Sequence, residues 1–287
     1  MFINLEYLSI FNNLPLFHYT KLRGMEGILK NKTIWLTHFK CLNDPEELDH
    51  MKTIYKKILE MEDEDEGFKN YINDLLKNNV LELEKNKEGI YIFSLTKDNN
   101  SKCMWKNYAD GGVNIEFGTP AEFEYFFHFN QHRFFNIDNE LQESNATIYF
   151  GKVYYNDDEI EKLVHDIYDM KIKKMTDDKF QHNNLFMEME KYLKNEYIRF
   201  FKKCEKWSYE KEYRLVIMLN NDENVMFQHY KDNGSPYIKL CFNSNILLLK
   251  GININSELDC SAKEEVVNGI IKNEKIIIPF RDLGLQY

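Results

Sequence analysis

The chain is poor in the residues that staple, break or span. Its 287 residues include only five cysteines, five prolines and twelve glycines. The cysteines fall at 41, 103, 204, 241 and 260, with no Cys-x-x-Cys pair. An odd count without paired spacing argues against a disulfide framework and a cysteine zinc site. It points to free thiols in a reducing cytoplasm. So little Gly and Pro excludes a collagen-like or linker-rich chain. No apolar run approaches the ~20 residues of a membrane span; the longest, such as Ile276–Phe280, are strand-sized. Residues Met1–Phe17 carry Glu6 and no basic cluster, unlike a signal peptide. Basic residues are also short, with 37 Lys and Arg against 47 Asp and Glu for a net charge of −10. That balance excludes the broad basic footprint of strong non-specific nucleic-acid binding.

Several motifs are missing too. There is no P-loop, no G-x-G-x-x-G, no H-E-x-x-H and no G-x-S-x-G. His128 and His132 lie four apart but lack an intervening Glu and a third ligand, so no metal is expected.

What is present is a well-patterned globular chain, 43% hydrophobic and 15% aromatic. Strands are expected at Leu14–Tyr19, Ile34–Thr37, Ile90–Leu95, Val113–Phe117, Thr147–Tyr155, Glu212–Leu219, Pro236–Phe242, Ile246–Lys250 and Lys275–Pro279. Helices are expected at Leu22–Lys30, from Asn43 through Leu59, and at Phe68–Leu83, Glu159–Met175, Asn184–Lys203 and Ser261–Lys272. Thr20 and Ser101 are candidate caps. The stretch 119–146 shows no clear period. Strands and helices mix without a βαβ rhythm. The expected fold class is therefore α+β, with a mixed, mainly antiparallel central sheet flanked by helices. One domain spans 1–287, with helical insertions near 43–88 and 157–203.

Four segments carry groups capable of chemistry. In Phe17-His18-Tyr19-Thr20, His18 can hold a ligand hydroxyl and Tyr19 can stack on a ring, with Thr20 beside them as a further expected cofactor contact. The residues alone equally suit a satisfied core His, which is the commoner case. Leu42-Asn43-Asp44-Pro45-Glu46-Glu47 reads mainly as a helix start, with loop contacts to a ligand as the further option. In the third segment, Phe93-Ser94 leads to Trp105-Lys106-Asn107-Tyr108-Ala109-Asp110-Gly111-Gly112. Trp105 and Tyr108 share a helix face there, lining a pocket or packing a core. In the fourth, Lys203 to Ile217, a strand puts Glu210, Glu212 and Arg214 on one face and Tyr213, Leu215 and Ile217 on the other. Arg214 is one of five arginines, and its fork suits a phosphate or a carboxylate. Trp207 and Tyr213 are expected to be largely buried.

Taken in order, HYT, L-N-D-P-x-E, F-S, W-x-x-Y with glycines, and K-x-x-x-W-x-x-E-x-E-x-R resemble the bacterial domain-of-unknown-function family numbered 2971. The resemblance covers about residues 14–255. A looser likeness is to ADP-ribosyltransferases of the His-Tyr-Glu kind. That likeness implies an ADP-ribosyltransferase-like sheet and NAD as substrate, with His18 on a ribose hydroxyl and Tyr19 or Tyr108 on nicotinamide. Glu212, or Glu210 in its place, would meet the charge that develops as nicotinamide leaves. Ser94 is an alternative middle residue, and Arg214 would face pyrophosphate or orient Glu212. The implied function is NAD-dependent ADP-ribosyl transfer or NAD cleavage by an effector, in a toxin or phage-defence setting. The rival is a non-catalytic module that binds a nucleotide or small signal, with Trp105 on the base, Arg214 on phosphate, and the helices at 159–203 facing a protein partner. No membrane association is expected.

Overall fold

Two near-continuous apolar runs, Ile90–Thr96 and Glu212–Met218, organise the molecule. Runs of this kind form strands covered on both faces. In the computed structural model they pair antiparallel along their whole length, from Ile90 opposite Met218 to Thr96 opposite Glu212. The structure describes residues 2–4, 14–44, 49–62, 64–110, 112–129, 132–176, 200–242, 249–255 and 280–283. Among these lie thirteen strands: β1 Phe2–Asn4, β2 Leu16–Thr20, β3 Thr33–His38, β4 Ile90–Thr96, β5 Val113–Phe117, β6 Arg133–Phe135, β7 Leu141–Glu143, β8 Thr147–Lys152, β9 Glu212–Met218, β10 His229–Tyr230, β11 Pro236–Cys241, β12 Leu249–Asn255 and β13 Phe280–Leu283. Their pairing is antiparallel except for β1 with β8 and β12 with β13. The class is α+β with a large, mainly antiparallel sheet, as the patterning implied.

The pairing around β4 matters most. One edge of β4 is fully covered by β9, which β8 flanks in turn. Two strands share the other edge. β3 pairs only at Tyr91 and Ile92, and β2 only at Thr96. Between these contacts Phe93, Ser94 and Leu95 meet no strand on that edge among the described residues. From this fork one wing continues through β2, β5, β12 and β13, and the other through β3, β11, β6 and β7.

Both faces of the sheet are covered. Phe93, Leu95, Ile115, Phe150, Tyr213, Leu215 and Ile217 share one core. Ile90, Ile92, Tyr149, Phe200, Phe201 and Val216 share another on the opposite face. Each such side chain contributes about 1.5–3 kcal/mol when fully buried. Tyr213 is buried as expected. Trp207 is only half-buried, and its ring carries the ammonium groups of Lys203 and Lys206 at 5.0 and 5.6 Å.

Helices at His50–Glu60, Glu66–Asn86 and Asp157–Thr176 pack on one another around Met51, Ile54, Phe68, Ile72, Ile160 and Val164, a cluster of their own. Segments far apart in sequence therefore form a single helical layer, with His165 stacked on Phe68 at 3.9 Å. No helix of the described residues is long and apolar enough to cross a membrane. The stretch 119–146 contains a helix, Pro120–Phe129, and the β6–β7 hairpin. That helix starts in a capping box: Thr119 Oγ1 accepts from the Glu122 N–H, and Glu122 Oε2 accepts from the Thr119 N–H. The cap of helix Leu22–Asn31 is Lys21, not Thr20, and makes no side-chain cap bond. The expected strand at Ile246–Lys250 appears instead as Leu249–Asn255; residues 243–248 lie outside the described residues. So do the expected strand Lys275–Pro279, the expected helix Ser261–Lys272 and most of the expected helix Asn184–Lys203.

Gly112 lies where β2 ends against the turn that precedes β5. A Cβ there would stand 2.2 Å from the Thr20 carbonyl oxygen, 2.6 Å from Lys21 Cα and 2.8 Å from the Ala109 oxygen. All three are backbone atoms and cannot swing away. Gly112→Ala is expected to cost about 2 kcal/mol or more. Urea denaturation checks this, and an unchanged midpoint would show that the two backbones can separate freely.

Candidate functional site

The fork encloses a cavity of about 280 Å³. Its floor is the open stretch of β4. Ser94 turns both of its groups to use. Its carbonyl accepts from His18 Nδ1 at 2.9 Å, and its hydroxyl donates to Glu212 Oε1 at 2.5 Å. One residue thus joins His18 on β2 to Glu212 on β9. Because a carbonyl only accepts, the His18 proton sits on Nδ1 and the Nε2 lone pair is left as an acceptor. Burial, opposed only by the Ser94 carbonyl, pulls the His18 pKa down to about 4, so the ring is neutral near pH 7. The imidazole lies 4.4 Å from the Phe93 ring, which fixes its orientation.

Glu212 opens β9 and is saturated. Oε1 also accepts from Arg214 Nε at 2.9 Å, while Oε2 accepts from Arg214 Nη2 at 3.1 Å and Lys203 Nζ at 3.2 Å. Burial by itself would raise its pKa. The Arg214 charge, then that of Lys203, outweighs burial and holds the carboxyl at about 2. Arg214 is fully buried, and its Nη1 donates to the Phe200 carbonyl at 2.7 Å. No guanidinium surface is left for a phosphate; of its two expected roles, only orienting Glu212 fits.

Glu210 does not share the strand with Glu212. It ends a tight helical turn, Glu205–Glu210, and Lys211 then takes a left-handed conformation before β9 begins. The carboxylate still reaches the cavity because Lys203 Nζ bridges both acids, donating to Glu210 Oε2 at 2.6 Å. Tyr108 donates to Glu210 Oε1 from the opposite wall. Burial and the nearby Glu212 charge push the Glu210 carboxyl up. Burial works against the Lys203 ammonium, but the Glu212 charge more than offsets it and raises its pKa. Two acids and two bases therefore form a buried quartet with no net charge.

Tyr108 is positioned by one π turn over Trp105–Ala109, closed by the Asp110 N–H on the Trp105 carbonyl at 3.0 Å. Ser101 caps the preceding turn, as expected. Asn43 Nδ2 donates to the Tyr108 hydroxyl at 3.1 Å. The next residue, Asp44, is buried. Its Oδ2 takes His50 Nε2 at 2.9 Å and the Cys204 N–H at 3.3 Å. The segment read mainly as a helix cap thus ties the Tyr108 turn to the Lys203–Glu210 segment. The helix behind it begins at His50, and Pro45–Leu48 lie outside the described residues.

Two expected contacts lie away from the cavity wall. Trp105 is core: its ring meets the Tyr19 ring edge-on at 4.9 Å, its Nε1 donates to Asn100, and it is absent from the cavity wall. Thr20 is absent from the wall as well. Tyr19 borders the cavity, but its hydroxyl donates to the Asp98 carbonyl and accepts from the Ser101 N–H, so it braces the 97–101 loop. Both tyrosines offered for ring stacking border the cavity. Lys203 stands in the K-x-x-x-W motif but was not expected as a site residue. Nor were Trp35, Thr37 and Lys231, whose only signal is their position on the β3–β11 wing.

Among the described residues no group of three or more His, Cys, Asp or Glu side chains is arranged to hold a metal ion. The described cysteines 41, 103, 204 and 241 are free thiols.

Residues 104–215 match the model of a protein family of unknown function, DUF2971. The suspected kinship is borne out over that stretch, which includes Trp105–Gly112 and Lys203–Arg214. No curated protein and no solved structure matches the chain.

Removing one partner of a buried ion pair leaves an uncompensated charge. Arg214→Met is expected to lose about 3–5 kcal/mol in urea denaturation. A loss below about 1 kcal/mol would mean that Lys203 alone holds Glu212. Stability should also fall in two steps on acidification. Between pH 6.5 and about 4 the unfolded chain takes up a proton that His18 refuses when folded, so stability drops. The depressed Glu212 carboxyl stabilises the fold above its ordinary value of 4.5, and that contribution is lost as pH falls toward 2. Denaturation midpoints from pH 7 to pH 3 should decline less steeply above pH 4 in His18→Gln and less steeply below 4.5 in Glu212→Gln.

Proposed function

We propose that the fork cavity takes the nicotinamide–ribose end of NAD and that the protein releases nicotinamide there, passing ADP-ribose to water or to an acceptor. The observation that carries this reading is the pairing, through Ser94, of a neutral His18 with a permanently ionised Glu212 on one cavity. His18 Nε2 is an acceptor for a ribose hydroxyl. Glu212 is a carboxylate fixed where positive charge develops, and a group of that kind lowers barriers because it needs no reorganisation. In the step itself the C1′–N bond breaks and nicotinamide leaves with the electron pair. A nucleophile oxygen or nitrogen then bonds to C1′ and gives up a proton. Glu210, whose pKa is pushed the opposite way from that of Glu212, suits that proton better. Tyr108 offers its ring at the rim. A cavity of about 280 Å³ has room for one nucleoside-sized half of the dinucleotide, with the rest lying along the open side.

A second reading, non-catalytic nucleotide recognition, is favoured by the saturation of Glu212, whose charge Arg214 and Lys203 already neutralise. One experiment separates the two. NAD binding is measured by calorimetry and nicotinamide release by chromatography, for the wild type, Glu212→Gln and His18→Ala. Transfer chemistry predicts release in the wild type, a roughly 10²- to 10³-fold drop in Glu212→Gln, and a drop of about tenfold in His18→Ala for one lost hydrogen bond. Saturable binding without release would establish the recognition module. Neither binding nor release would overturn both.

A further inference from the structure

The wing opposite His18 carries a cation that the acid–base quartet does not use. Lys231 stands at the start of a tight turn between β10 and β11. The turn is closed by its own N–H on the Ser235 carbonyl at 3.0 Å and by the Gly234 N–H on its carbonyl at 2.8 Å. This places the half-buried Lys231 side chain over β3, where Nζ donates to Thr37 Oγ1 at 3.2 Å. Among the described residues no carboxylate pairs with it, although the chain has ten more acids than bases. Burial pulls its pKa down, opposed only in part by the neighbouring Cys41 thiol. Trp35, two residues before Thr37 and on the same strand face, is 41% exposed. Its ring stacks on Tyr237 at 4.4 Å and 25°, which holds the indole still. Both Trp35 and Lys231 line the cavity.

We propose that Lys231 and Trp35 form the phosphate and base subsite of the fork cavity, so that its ligand is a phosphorylated nucleoside with its ring on Trp35 and its phosphate on Lys231. The assignment rests on the nucleotide reading above and replaces the expected phosphate contact of Arg214, which is sealed beneath Glu212. A lysine whose hydrogen-bond partner among the described residues is a neutral hydroxyl can exchange that bond for an anion at little cost, whereas Arg214 would have to abandon Glu212. An indole backed by a second ring is a sequence-tolerant platform for a base.

The test is calorimetry of the full chain with adenosine, AMP and NAD as probes, on the wild type, Lys231→Met, Lys231→Arg and Trp35→Ala, with thermal melts to confirm folding. The wild type should bind AMP roughly 10- to 100-fold more tightly than adenosine, the range of a charge-assisted hydrogen bond. Lys231→Met should erase that preference while leaving adenosine affinity within about twofold, and Lys231→Arg should restore most of it. Trp35→Ala should weaken adenosine and AMP alike, by roughly 5- to 100-fold. Equal wild-type affinity for adenosine and AMP, or a preference that survives in Lys231→Met, would overturn the subsite. If NAD binds in that case, the proposed function stands without it. If AMP binds through Lys231 and no nicotinamide is released, the subsite stands and NAD cleavage falls. No binding of any probe to the wild type would overturn the subsite.

Discussion

Four charges buried at the start of β9 constrain the rest of the molecule. Lys203, Glu210, Glu212 and Arg214 are each at most 5% exposed. Their mutual hydrogen bonds make that burial tolerable. A quartet of this kind tolerates little displacement, because one broken partnership leaves a charge without water. It therefore fixes where the 203–210 segment crosses β9, and Asp44 ties the 43–44 loop to that segment through the Cys204 N–H. Asn43 in turn holds the Tyr108 turn. The cavity wall is a consequence of satisfying buried ions.

The fork in the sheet follows from the same place. An antiparallel strand with a full partner on each edge has no polar backbone to spare. β4 leaves Ser94 open on one edge, and an open buried carbonyl needs a donor. His18 supplies it, which fixes a single tautomer and presents Nε2 as an acceptor, while burial keeps the ring neutral. The interrupted ladder and the poised imidazole are one feature. β2 cannot pair further along β4 without displacing the imidazole of its own His18, and β3 is held away by its pairing with β11. A ligand hydroxyl entering the gap meets groups already oriented before it arrives.

Much of this was legible in the sequence, and the rest has physical reasons for being hidden. Apolar runs such as Ile90–Thr96 read correctly as strands, because continuous burial leaves a plain signature. The capping box at Thr119 and Glu122 was readable but lay in a stretch with no clear period to draw attention to it. His18, Ser94, Glu210 and Glu212 were picked out by type and position and are brought to one cavity. Glu210, however, arrives by a left-handed residue at Lys211 and not by strand alternation. Trp105 and Tyr108 could not be told apart by spacing alone. A π turn sends one into the core against Tyr19 and the other to the rim. Lys231 was invisible because its significance lies in its surroundings, where no carboxylate among the described residues pairs with it, and that is a property of three dimensions.

Electrostatics separates the site's two halves by function. The quartet is neutral as a set, so it adds little net field at the cavity mouth despite holding four charges. Glu212 acts only at contact range, on atoms brought against it. The chain as a whole is acidic, and beyond about a Debye length, roughly 8–10 Å at physiological salt, its field is largely screened. An anionic ligand therefore gains nothing from long-range steering and must be recognised locally. An ammonium that no carboxylate pairs with among the described residues, next to an aromatic platform, is the local feature proposed to meet this requirement. Under the proposed function, a phosphate seated there would carry its own charge away from Glu212 and leave that carboxylate to the part of the ligand that becomes positive.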